Sequence, residues 1–107
     1  MNFAVNLTAQ AERDLLDICR YVALNDAPAK AEKLLDNLEE VIESLETLPQ
    51  RGHCPPELER IGMMEYQEVF FKPYRVIYRI ADREVRVYAV IDGRRDLPDL
   101  LQERILR

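Results

Sequence analysis

At 107 residues, with 48% hydrophobic and 33% charged residues, the chain has the balance of a globular protein with one core over residues 1–107, which excludes a disordered polypeptide and makes disulfide staples unnecessary. The formal net charge of −5 argues against non-specific nucleic-acid binding, but the charge is uneven: residues 1–65 carry 6 Lys/Arg against 13 Asp/Glu, residues 66–107 carry 9 against 7, so a local basic site has a place in the second part. No run approaches the roughly 18 apolar residues of a membrane span, and MNFAVNLT lacks the basic start of a signal peptide. The expected location is the cytoplasm, with Cys19 a helix-core thiol and Cys54 a loop thiol and no disulfide between them.

In chain order, NFAVNL alternates with Phe3, Val5 and Leu7 on one side, a short first strand. Thr8 suits the N-cap of a helix from about Ala9 to Leu24, with Ala11, Leu15, Ile18, Cys19 and Val22 on one stripe. NDAP then turns the chain, Asp26 being the expected cap of a second helix with Pro28 in its first turn. Ala31, Leu35, Leu38, Ile42 and Leu45 step by 4, 3, 4 and 3 in that helix, flanked by Leu34, Val41 and Leu48, the spacing of an antiparallel helical hairpin. Asp36, Glu39, Glu40, Glu43 and Glu46 follow its outer side.

From Pro49 to Gly62 the chain spends three of its six prolines and two of its three glycines, so LPQRGHCPPELERIG is expected to be a loop packed on the body. YQEVFF then reads as a strand, KP as a turn, and PYRVIYRIADREVRVYAVIDGRRD as two strands joined at Ala81-Asp82-Arg83-Glu84. Pairing Ile80 with Val85 joins two apolar rows, Tyr74, Val76, Tyr78 and Ile80 against Val85, Val87, Ala89 and Ile91, and sets Arg79 opposite Arg86 on the other face with Arg75, Ile77, Tyr88 and Val90. Asp96 to Leu106 closes as a helix with Leu97, Leu101 and Ile105 in line. The expected architecture is α+β: a small antiparallel meander covered on one face by the helical hairpin, order β-α-α-β-β-β-α, with an open face that carries the arginines.

Candidate chemistry is sparse. His53 is the only histidine and Ser44 the only serine; neither sits in a triad or zinc spacing, and no P-loop, dinucleotide-binding glycine pattern or HExxH occurs. No metal site and no cofactor are expected. What stands out is the set Arg75, Arg79, Arg86, Arg94 and Arg95 with Tyr66, Phe70 and Tyr88 nearby. Planar guanidiniums suit phosphate or carboxylate recognition, whereas a solvated sheet face accounts for the same residues without any ligand. Arg75 is expected to project from the open face; the alternative is that it offsets Glu68 across the strands.

The order of these elements, with LPQRGHCPPEL before the meander, PYRVIYRI within it and VIDGRRDLPDLL at its end, resembles the RelE/ParE superfamily, the toxins of type II toxin-antitoxin systems. The resemblance spans nearly the whole chain and implies a cognate, ParD-like antitoxin that wraps over the toxin, here on the helical hairpin through Leu15, Val22, Leu34 and Val41. It also implies one of two activities: ribosome-dependent mRNA cleavage without a metal, as in RelE-like members, or non-catalytic poisoning of DNA gyrase, as in ParE-like members. Arg75 and Arg95 match two functional arginines of the nuclease. The chain departs from it where lysines are replaced by Tyr66, Gln67 and Glu68 and where Leu101 stands at the C-terminal tyrosine position. Together with the net charge and the PQRGHCPPEL segment, these departures favour gyrase over the ribosome as target, with Arg75, Arg79, Arg86, Tyr88, Arg94 and Arg95 as the target-binding set. A non-toxic protein-binding module is the reading from another class.

Overall fold

The computed structural model describes residues 2–105, the side chain of Ile105 excepted. Strand β1 (Ala4–Leu7) hands over to helix α1 (Ala9–Asn25) at Thr8, whose hydroxyl accepts from the Ala11 N–H at 3.1 Å, the N-cap its sequence promised. Asp26 is not the cap of the second helix. Its N–H donates to the Val22 carbonyl and so closes α1, while its carboxylate lies 3.1 Å from Lys30; α2 (Pro28–Glu43) starts from Ala27 without a side-chain cap, its first turn set by Pro28. Among the described residues no helix is long and apolar enough to cross a membrane.

The stretch from Ser44 to Gly62 is more ordered than a loop. It holds two short 3₁₀ turns, Ser44–Glu46 and Pro49–Arg51, and the single turn α3 (Pro56–Glu59), whose Leu58 is fully buried. Strands β2 (Tyr66–Phe71), β3 (Tyr74–Ala81) and β4 (Glu84–Asp92) follow, then α4 (Leu97–Ile105). The expected helix end at Leu106 and the inward turn of Ile105 lie outside the described residues. Sheet order is β1-β4-β3-β2: the meander is antiparallel as expected, and β1 adds to β4 in parallel at one edge.

The hairpin register begins as its apolar rows require, Ile80 opposite Val85 and Arg79 opposite Arg86. It then shifts between Ile77 and Tyr78, because Tyr78 pairs with Val87 and Ile77 with Ala89. Tyr88 is thus an extra residue, and the bulge reverses the facing of everything after it. Val90 joins the first core, and Ala89 and Ile91 go to the opposite face, the reverse of simple alternation. Asp14 and Arg104 hold this irregularity: Asp14 accepts from the Val90 N–H at 2.9 Å and from both terminal nitrogens of Arg104 at 2.7 Å, and Arg104 donates to the Tyr88 carbonyl at 2.8 Å. The polar groups that a bulge frees from the ladder are therefore satisfied.

The first core lies between the sheet and the helical hairpin, with Ala11 and Leu15 of α1, Leu38, Ile42 and Leu45 of the α2 segment, and Val69, Val76, Tyr78, Val85, Val87 and Val90 of the sheet. The second face is not open. Leu58, Leu97 and Leu101 bury Tyr66, Ile77, Ala89 and Ile91 beneath α3 and α4. The apolar residues of PELERIG and DLPDLL explain why: each brings leucines that need a surface, and the strand residues on that face are themselves apolar.

Candidate functional site

The bulge and the two small helices divide the arginine set. Arg75 is buried, only 7% exposed, which corrects the expectation that it projects from an open face. Its Nε donates to Glu68 at 2.6 Å, and its two terminal nitrogens donate to Glu57 at 2.8 and 2.7 Å in a bidentate pair. The Glu57 hydrogen bonds, helped by those of Glu68, hold the Arg75 guanidinium well above its ordinary value against the opposing effect of burial. Arg79 and Arg86 remain exposed at the hairpin end of the sheet. Arg94 is exposed and folded back on Asp92 at 3.0 Å, and Arg95 is exposed beside Arg13 and Arg104.

Around Arg75 lies a cleft of about 440 Å³ whose walls include His53, Glu57, Arg60, Phe70 and Lys72. Gly52 brings the loop against the edge of β2, where His53 and Glu68 exchange backbone bonds of 3.2 and 2.8 Å. The His53 Nε2 then sits 3.0 Å from Glu68, and its ring tilts over Phe70 at 5.4 Å. Glu57, Arg75, Glu68 and His53 thus form one continuous chain of charge-assisted contacts leading from a buried strand to the mouth of a cleft. Sequence reading missed Glu57 and held the Arg75–Glu68 pair only as the alternative to an open-face arginine, the alternative that the 2.6 Å contact bears out. The available signal was an acidic residue in the middle of YQEVFF, since a charge in a buried strand requires a partner.

The pair with Arg75 lowers the carboxyl pKa of Glu57, chiefly through its hydrogen bonds. A carboxylate depressed in the folded state contributes stability that is fully present above its unfolded value and is lost as pH falls through the folded one. Glu57→Gln is therefore expected to flatten the decline of melting temperature between about pH 5 and pH 3, measured by thermal unfolding; an unchanged acid limb would show that the pair contributes nothing.

As chemistry the cleft is poorly supplied. The cationic group at its centre is neutralised by two carboxylates. Burial pushes the Cys54 thiol up, with Glu59, Glu68 and Glu65 adding to the shift, and Ser44 is occupied by the Val41 carbonyl and Arg51. Among the described residues no group of three His, Cys, Asp or Glu side chains is arranged to hold a metal ion.

On the helical hairpin, Leu15 is a core residue at 9% exposure, and Val22, Leu34 and Val41 are half-buried, so Leu15 offers little to a partner. Leu16, Tyr21 and Leu24 of α1 are instead exposed. They stand outside the apolar stripe, which is why periodicity passed over them.

No curated protein matches the chain. Solved structures that share its fold include the chromosomal ParDE toxin-antitoxin system from P. aeruginosa, with TM-score 0.71 and 17% identity over 84% of this chain and 95% of that one, and the RelBE2 toxin-antitoxin complex from Mycobacterium tuberculosis, with TM-score 0.64 and 21% identity over 86% and 92%. The family model described as the ParE toxin of the type II toxin-antitoxin system parDE matches residues 5–97. With the fold, the order of elements and the sequence in agreement over most of its length, the chain belongs to the ParE toxin family.

Proposed function

We propose that the protein is the toxin of a type II pair that stops growth in the cytoplasm by binding and inhibiting DNA gyrase, without catalysing a reaction of its own, and that a ParD-like antitoxin neutralises it. The observation that carries this reading is the clamp on Arg75. Metal-independent cleavage of RNA needs cationic stabilisation of the phosphorane and a proton acceptor, and here the arginine that matches the nuclease is enclosed by Glu57 and Glu68. Family membership and the ParDE structural neighbour support the same direction. For the antitoxin, the exposed Leu16, Tyr21 and Leu24 on α1 give an apolar seat beside Val22, Leu34 and Val41.

The reading is tested with purified components. The protein should inhibit gyrase supercoiling or trap cleaved DNA, and mRNA in programmed ribosomes should stay intact. Cuts in the ribosomal A site with gyrase unaffected would establish the RelE-like alternative, and the absence of any growth arrest on induction would leave a protein-binding module.

A further inference from the structure

α3 and α4 stop short of one end of the sheet face they cover, and that end carries a like-charge pair. Arg79 stands directly across from Arg86, both exposed, and around them Ala81, Glu84 and Tyr88 shape a depression of about 240 Å³. Tyr66 is the third residue of the same row, opposite Arg79, and packs edge-on against Tyr88 at 5.5 Å. The aromatic pair forms a rigid floor.

Like charges directly opposite in a sheet destabilise it, and Arg79 and Arg86 are the one pair of arginines that the strand register sets face to face. Arg75, Arg94 and Arg104 each have a carboxylate within 2.6 to 3.0 Å. At the hairpin end, Glu84 is the one acid in the depression, and its carboxylate is divided between Arg86 at 3.1 Å and Asn6 at 2.6 Å. Among the described residues no carboxylate pairs with Arg79, whose side-chain partner is the Tyr66 hydroxyl.

We infer that Arg79 and Arg86 form a receptor for carboxylate side chains, and that its occupant is an acidic segment of the antitoxin. The inference rests on the reading of the chain as a toxin with an antitoxin. Two guanidinium forks converging on one depression match carboxylate geometry. The volume is below the roughly 300–1,000 Å³ of small-molecule sites, which suits one or two side chains. A nucleic-acid backbone fits less well, because phosphate tracking needs a run of cations and the chain as a whole carries −5. A resident antitoxin, bound for as long as the toxin is silent, offsets the repulsion continuously, as a transient target cannot.

The test uses the full chain with two probes of similar charge, N-acetyl-tetraglutamate and tetrathymidylate, together with the complex formed on co-expression with the adjacent gene. Arg79→Gln should melt at or above the parent, since it removes a repulsion and its amide keeps an N–H donor for the buried Tyr66 hydroxyl that Arg79 now supplies. It should weaken tetraglutamate binding about tenfold, and the Arg79→Gln, Arg86→Gln complex should release its partner at lower salt than the parent complex does. A clear fall in melting temperature for Arg79→Gln, no tetraglutamate binding by the parent, or tetrathymidylate bound more tightly than the peptide overturns the receptor. Loss of gyrase inhibition in Arg79→Gln with release of the co-expressed partner unchanged moves the surface to the target and overturns the antitoxin assignment. If the parent itself leaves gyrase untouched, the gyrase reading fails while the peptide and complex measurements still decide the receptor.

Discussion

Arg75→Ala is expected to lower stability by about 3–5 kcal/mol, the scale for removing one member of a buried ion pair. Glu68 is 1% exposed and would lose its 2.6 Å partner, keeping only His53 at 3.0 Å beside its carboxylate. Glu57, nearer the surface, would keep its charge by turning toward solvent, so Glu68 carries most of the penalty. For a domain of this size the loss corresponds to a melting temperature lower by on the order of 10–20 °C. Replacing both partners separates charge from packing: Arg75→Met with Glu68→Met should recover most of the loss, because a buried pair exchanged for apolar residues of similar volume is often neutral. Growth arrest by Arg75→Ala should fall in step with the amount of folded protein. A variant that melts with the parent yet has lost its toxicity would return Arg75 to the target-binding set.

Gly52→Ala should cost about 2–4 kcal/mol, through forced movement in a packed region. A Cβ at Gly52 would lie 2.5 Å from the carbonyl oxygen of Glu68 and closer still to the Tyr78 hydroxyl. Neither can yield cheaply: the Glu68 carbonyl accepts from the His53 N–H, and the Tyr78 hydroxyl is buried and donates to the Pro49 carbonyl at 2.7 Å. Tyr78→Phe in the same background removes one of the two clashes and should recover only part of the loss. Gly62 is the control. Its φ is +78° but a Cβ there meets nothing within 4 Å, so Gly62→Ala should cost only about 1 kcal/mol of backbone strain. Denaturant midpoints for the three variants decide the matter; equal values at Gly52 and Gly62 would refute close approach as the reason for glycine at 52.

The arginine arithmetic was legible only in part. Alternation set Arg79 opposite Arg86 correctly, because the Val, Ile and Tyr rows on either side of Asp82 and Arg83 admit one register. The same alternation misplaced Ala89, Val90 and Ile91, since nothing local marks Tyr88 as the bulged residue. The cause is remote: Asp14 on α1 and Arg104 on α4 satisfy the groups that the bulge frees, and they are 90 residues apart. Arg75 was misread for a related reason. A strand residue next to apolar neighbours shows its face but not what covers that face.

The sequence by itself determined the elements that depend on near neighbours. Thr8 caps α1, Pro28 opens α2, the 4-3-4-3 spacing gives the hairpin a side to bury, and the order of motifs carries the family. These follow from backbone geometry and local hydrogen bonds, which reach only a few residues. The tertiary structure decided which charges are spent. PELE and DLPDLL fold over the second sheet face, so Glu57 arrives at Arg75 from 18 residues away and completes the clamp with Glu68, while the coverage ends before the Arg79–Arg86 row. A guanidinium has the same chemistry in either place, and burial and the carboxylates that long-range packing delivers make one of them a structural link and leave the other available.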